Sequence, residues 1–190
     1  MTKQKSANTF KLQRLTTVAV LAALSLVLMA TVRFPIFPSA PFYEMEFSDV
    51  PVLVITALFG PLYGLVSLFI VCIIQTLTVS SASGVIGFLM HFLSSGLMII
   101  LLTSIRKRLH GFNGIVFSGV AGVVGVVLVM IPMNLWLASS FMGLEPTAFI
   151  RDFLGVCVGF NVIKATANIV IYSVLSPAII KEYNKLTHSD

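Results

Sequence analysis

From Gly114 to Ala138 the chain reads "GIVFSGVAGVVGVVLVMIPMNLWLA", 25 residues without a charged side chain. As a helix this stretch is roughly 37 Å long, more than the hydrocarbon core of a bilayer, which is about 30 Å thick. Five other apolar segments accompany it, at 13–32, 48–59, 61–79, 84–105 and 153–180. A soluble body of 190 residues is mostly surface and could not hide them, because 57% of the residues are hydrophobic and 10% charged. The sequence predicts an all-α membrane protein with six transmembrane helices, forming a single integral membrane domain over 1–190 that leaves no room for a soluble one.

The second and third segments need a break between them. One helix over 48–79 would run about 48 Å, too long for the bilayer core. "FGPLYG" at 59–64 places a Gly-Pro interruption there. The resulting second helix is short for a span, so it is expected to be buried among its neighbours or partly re-entrant. The first apolar run follows four basic residues like a signal peptide, but it is longer than a signal core and no small-x-small cleavage site follows. It reads as the first transmembrane helix.

Charge orients the helices. Lys3, Lys5, Lys11, Arg14, Arg106, Lys107, Arg108, Lys181 and Lys185 are nine of the twelve basic residues. Six spans put all nine on the cytoplasmic side, with both termini cytoplasmic, as the positive-inside rule requires. The opposite face then receives Arg33 and Arg151 with Glu44, Glu46, Asp49, Glu145 and Asp152. All the acidic residues are expected at the faces, so the chain lacks a membrane-embedded carboxylate pair for a proton relay.

That outer face carries "RFPIFPSAPFYEMEFSDVP", 33–51, with four prolines and five aromatics. Prolines at this density forbid a regular helix and favour extended or turn backbone. In this outer loop between helices 1 and 2 the aromatics fit either an interfacial belt or an ordered lid whose side chains line a pocket. Ser48 or Asp49 is expected to cap the second helix, with Pro51 in its first turn.

Lys164 is the charge left inside the membrane. It lies 12 residues after Asp152 and 17 before Lys181, too far from either face to snorkel easily. Asn161, Lys164 and Asn168 recur at i, i+3, i+7 and so form one polar stripe on the last helix. Asn134 follows Pro132, a proline that would kink the fifth helix and free a carbonyl near Leu128. These groups read either as interhelical hydrogen-bond glue or as a ligand site, and their convergence with an uncancelled charge favours the site. His91 reads as an interhelical hydrogen bond, and Gln75, Thr76 and Thr78 as cavity edge or helix cap. The small residues of "SGVAGVVG", 118–125, predict close helix packing, and Trp136 an interface anchor.

Several chemistries lack their motifs. There is no GxxxxGK[ST] phosphate loop, so the chain is not its own ATPase. HExxH, GxSxG and Cys/His clusters are absent, so no catalytic residues, cofactor or metal are expected, and the chain is not read as an enzyme. Cys72 and Cys157 lie in apolar runs and read as packing residues. The two halves show no internal repeat of the secondary-transporter kind.

The run "AVLAA" at 19–23, the proline-rich loop ending in "EFSDVPVL", "FGPLYG" and "FNVIKATAN" resemble the substrate-binding S components of energy-coupling factor (ECF) vitamin transporters. "FSDVP" and N-x-x-K resemble the riboflavin-specific members. The resemblance covers most of the chain. It implies a high-affinity riboflavin binder in a prokaryotic cell membrane, docked on a membrane scaffold (T) component and two ATPase (A) subunits, with no nucleic-acid partner. It also implies that Ala19 and Ala23, an A-x-x-x-A pair on helix 1, face the scaffold. The expected ligand-binding set is Asn134, Asn161, Lys164, Asn168, Tyr43, Phe42, Glu46 and Thr78. A flat ring with carbonyl and nitrogen acceptors on one edge suits aromatic walls, Asn amides and an ammonium. A stand-alone secondary carrier and an S component for another vitamin or a phosphorylated flavin are the competing readings.

Overall fold

The computed structural model describes residues 2–81, 83–109 and 111–188, with side chains from Phe10 to Thr187 within those ranges. The side chains of Lys3 and Lys5 therefore lie outside the described ones. The described chain is nearly all helix. In order it forms α1 (Thr2–Thr31), a loop containing strands β1 (Phe34–Pro35) and β2 (Glu44–Met45), α2 (Asp49–Phe59), α3 (Pro61–Leu77), α4 (Gly84–Arg106), α5 (Gly111–Met142) and α6 (Pro146–His188). The first helix starts ahead of the apolar run because "TKQKSANTFKLQ" contains neither Gly nor Pro to stop it. The last helix starts at 146 rather than 153, with Pro146 in the first position, where its missing N–H costs nothing.

Among the described residues four helices are long and apolar enough to cross a membrane: Phe10–Thr31, Gly84–Arg106, Gly111–Met142 and Pro146–Thr187. The other two, α2 and α3, have 11 and 17 residues, or roughly 16 and 26 Å. Every residue of α2 from Asp49 to Thr56 is buried. A helix that is apolar all round has no solvent face and belongs inside a bundle. It packs against α1, α3, α4 and α6, with Ile55 fully buried at the centre of the main core cluster. Gly60 separates α2 from α3 at φ +95°, a backbone region that residues with a Cβ rarely adopt.

Close packing of α4, α5 and α6 rests on the small residues of 118–125. Ser118, Gly119 and Gly122 are buried, and a Cβ on Gly122 would press on Ile169 of α6 and meet Met98 of α4. Pro132 sits inside α5, and the helix widens to a π turn at Asn134–Ala138 immediately afterwards. Such turns often occur at functional sites. Trp136 projects outward and is 72% exposed.

Basic residues make two of the contacts at the end of the bundle where α2 meets α3. The Arg14 guanidinium lies 5.1 Å from the centre of the Tyr63 ring. Arg106 donates to the Tyr172 hydroxyl at 2.8 Å, and Arg106 and Lys107 line a second cavity with Gly60 and Pro61. Tyr183, near Lys181 and Lys185, meets Phe59 edge to face.

The loop at 33–48 folds back on itself at the other end. Phe34 pairs with Met45 and Pro35 with Glu44 in a short antiparallel ribbon. Arg33 forms an ion pair with Glu44 and donates to the Val79 carbonyl at 2.9 Å, tying this loop to the one after α3. The loop aromatics divide. Tyr43 is buried, Phe37 and Phe47 are partly so, and Phe34 and Phe42 are about half exposed.

Candidate functional site

A cavity of about 270 Å³ opens under this loop, between α4, α5 and α6. Its size is close to the lower end of the range for small-molecule sites, roughly 300–1,000 Å³. One wall is aromatic. Tyr43 stacks on Phe160 with centroids 4.9 Å apart, and Phe42 packs against Tyr43 at 4.7 Å and Phe153 at 5.7 Å. Met90, Met98 and Met130 line other parts of the cavity.

The polar groups reach this space from separate elements. Asn134, in the π turn of α5, is fully buried. Its amide donates to the Met130 carbonyl at 2.8 Å, satisfying a backbone acceptor close to the proline break. Its carbonyl accepts from the Tyr43 hydroxyl at 2.6 Å, which joins the loop to α5. Burial, and next the neighbouring Cys157, pushes the Tyr43 phenol above its ordinary pKa, so it stays a donor. Asn161 donates to the Cys157 carbonyl one turn back at 2.8 Å and lines the cavity.

Lys164 Nζ is 2.9 Å from Glu46 Oε1 and 5.9 Å from the centre of the Phe160 ring. The acceptor that the sequence left unspecified is therefore a loop carboxylate. Burial would raise the Glu46 carboxyl, but the Lys164 ammonium, and after it His91, outweigh that and hold it below its ordinary pKa. Glu46 Oε2 is buried with no hydrogen-bond partner among the described residues, which leaves an acceptor beside the cavity.

Five of the seven expected ligand residues other than Glu46 meet at this cavity: Phe42, Tyr43, Asn134, Asn161 and Lys164. Glu46 joins them. Asn168 does not line it. It is fully buried, and its amide donates to the Glu46 and Lys164 carbonyls at 3.2 and 3.0 Å, clamping the loop to α6. Thr78 is exposed and donates to the Ile74 carbonyl of its own helix at 2.6 Å. Thr76 does the same to Cys72 at 2.8 Å, whereas Gln75 lines the cavity.

Two expectations about acidic residues are overturned. Glu46 and Asp49 are not at a face; each is 4% exposed, so the interior does contain a pair of carboxylates. Asp49 does not cap α2 and neither does Ser48, because Ser48 itself has helical dihedrals and makes no side-chain cap bond. The Asp49 carboxylate instead lies 3.1 Å from His91 Nε2. His91 does form the expected interhelical bond, and it also faces the cavity. A charged residue spaced like "E-x-x-D" ahead of an apolar helix was the signal available in the sequence. The cavity itself was not visible there. Among the described residues no group of His, Cys, Asp and Glu is arranged to hold a metal.

Ala19 and Ala23 are both exposed on α1.

A family model for the substrate-specific component of ECF transporters matches residues 13–181. The riboflavin transporter FmnP of Bacillus subtilis (strain 168) is 27% identical over 175 residues, 87% of this chain and 90% of its own length. The riboflavin transporter RibU of Lactococcus lactis subsp. cremoris (strain NZ9000) is 28% identical over 130 residues, 67% of this chain and 63% of its own. A solved S component of a bacterial ECF transporter superposes with a TM-score of 0.77 at 22% identity, covering 90% of this chain and 97% of that one. At that identity the likeness carries the fold.

Proposed function

Because the chain belongs to the substrate-specific components of ECF transporters, we propose that it is the riboflavin-binding subunit of such a transporter, driven by a separate scaffold protein and ATPases. The observation that carries the ligand assignment is the cavity that Lys164, Asn134 and Asn161 line together with an aromatic wall. Riboflavin has a flat apolar ring system with acceptors on one edge and a neutral polyhydroxyl tail. The ring fits against Phe42, Tyr43 and Phe160. Lys164 offers its remaining ammonium protons to the ring-edge acceptors, the Asn161 amide offers a carbonyl, and Glu46 Oε2 accepts from an N–H or hydroxyl. The riboflavin transporters of Bacillus subtilis and Lactococcus lactis that resemble this chain favour the same ligand.

In this reading the six helices lie in the cell membrane with the basic end cytoplasmic and the 33–48 loop outside, α2 buried inside the bundle and α3 presenting an apolar face to lipid. Purification in detergent without added ligand tests the assignment. A yellow protein with a flavin absorption spectrum, releasing riboflavin on denaturation, is the expected result. A colourless protein that does not quench added riboflavin fluorescence would exclude it, and ion-driven uptake by the purified chain alone in vesicles would favour a secondary carrier.

A further inference from the structure

Two of the proposed ligand contacts, Glu46 and Lys164, belong to a cluster of four ionisable side chains drawn from four parts of the chain. Glu46 comes from the loop, Asp49 from the start of α2, His91 from α4 and Lys164 from α6. His91 is 8% exposed. Its Nε2 lies 3.1 Å from Asp49 Oδ1 and 3.7 Å from Glu46 Oε1, the same oxygen that holds Lys164. Its Nδ1 is hydrogen-bonded to Gln75 Oε1, and the Gln75 amide points the other way, to the Ser80 hydroxyl at 3.4 Å.

Both ring nitrogens therefore face oxygen acceptors. A neutral imidazole has one N–H and would set a lone pair against one of them; an imidazolium donates to both. Charge leads to the same conclusion. Two carboxylates against one ammonium leave a net negative charge in the interior, which is costly, and a charged His91 cancels it. The other titratable group beside the ring is Cys72 of α3, which is buried, and α5 carries no titratable residue. Arg33, at the cavity edge, is already paired with Glu44.

We propose that His91 is a positioning residue held as an imidazolium. It fixes Asp49 and Glu46 from behind, and Glu46 in turn aims the Lys164 ammonium at the ligand. The affinity arm of the following test rests on the riboflavin reading; the stability arm does not.

The test compares the wild type with His91→Gln and with His91→Gln/Asp49→Asn. One readout is the melting temperature of the ligand-free protein in detergent, followed from mildly acidic to alkaline pH. The other is the riboflavin dissociation constant at neutral pH. His91→Gln leaves Asp49 as an uncompensated buried anion, so it should lower the melting temperature and weaken binding roughly tenfold or more. The double variant returns the cluster to zero net charge and should recover most of the lost melting temperature and part of the affinity. Failure of His91→Gln to fold, with recovery in the double variant, is the same result. The wild-type melting temperature should fall on the alkaline side as His91 loses its proton, and the double variant should lack that component. A double variant as impaired as His91→Gln, or the same alkaline profile in both proteins, overturns the proposal. A wild type that binds no riboflavin would end the ligand reading and leave the stability arm to decide the role of His91.

Discussion

The Lys164 ammonium and the Glu46 carboxylate are 2.9 Å apart and 118 residues apart in sequence. The pair fastens the 33–48 loop to α6 at the edge of the cavity, and Asn168 fastens the same point through the Glu46 backbone. One contact thus settles how an ammonium is tolerated inside the bundle and how the loop is held over the site.

Removing either partner should be harmful. Lys164→Ala leaves a buried carboxylate, and Glu46→Gln leaves a buried ammonium; breaking such a pair costs about 3–5 kcal/mol. Both variants should melt at lower temperature and bind riboflavin more weakly, whereas Lys164→Met with Glu46→Gln should regain stability but not affinity. The Glu46 carboxyl is held below its ordinary pKa in the folded protein, so its contribution is present at neutral pH and is lost as pH falls through that lowered value. Acid should therefore destabilise the wild type more than Glu46→Gln. Unchanged affinity in Lys164→Ala would make the stripe on α6 structural glue.

The Tyr43 hydroxyl orients Asn134 through a buried 2.6 Å bond. Tyr43→Phe keeps the ring that stacks on Phe160 and removes only the donor. An acceptor left unpaired costs about 1–3 kcal/mol, roughly a 5- to 150-fold loss of affinity if Asn134 must be oriented to receive the ligand. Titration by riboflavin fluorescence quenching measures it. Equal affinities would mean that Asn134 takes no part in binding.

Single cysteines report the topology, in a background lacking the buried Cys72 and Cys157. Ser39→Cys and Ser140→Cys, both at exposed positions, should react with an impermeant thiol reagent in intact cells. Lys185→Cys should react only after lysis. Lys185 is preferable to Thr187 as the cytoplasmic probe, because its side chain is 59% exposed while Thr187 is buried. Labelling at 185 from outside would overturn the six-span arrangement.

Ala19 and Ala23 separate binding from transport. They lie one turn apart and present an exposed strip with almost no side chain. Close helix approach in lipid depends on such residues. Ala19→Trp or Ala23→Trp should leave riboflavin affinity of the isolated protein unchanged within about twofold, since neither touches the core. ATP-driven uptake in cells carrying the complete transporter should collapse. Normal uptake would assign this strip to lipid.

Local features of the sequence were enough for the helices, the break at Gly60–Pro61, the polar stripe of α6 and the close packing at 118–125. Each depends on spacing along one segment: a 3.6-residue period, a glycine at a positive φ, small residues one turn apart. Tertiary structure alone decided which polar groups share a space. Glu46 and Asp49 looked like face residues because they fall in the proline-rich stretch 33–51 between two apolar segments, and only the packing of that stretch into the bundle turns them toward His91 and Lys164. Asn168 and Thr78 look as suitable for a ligand as Asn161, yet one is engaged in clamping the loop and the other bonds its own helix. Helical periodicity encodes the direction of a side chain about its own axis. It carries no information about what stands opposite, and the charge balance of a buried cluster depends on that opposite side.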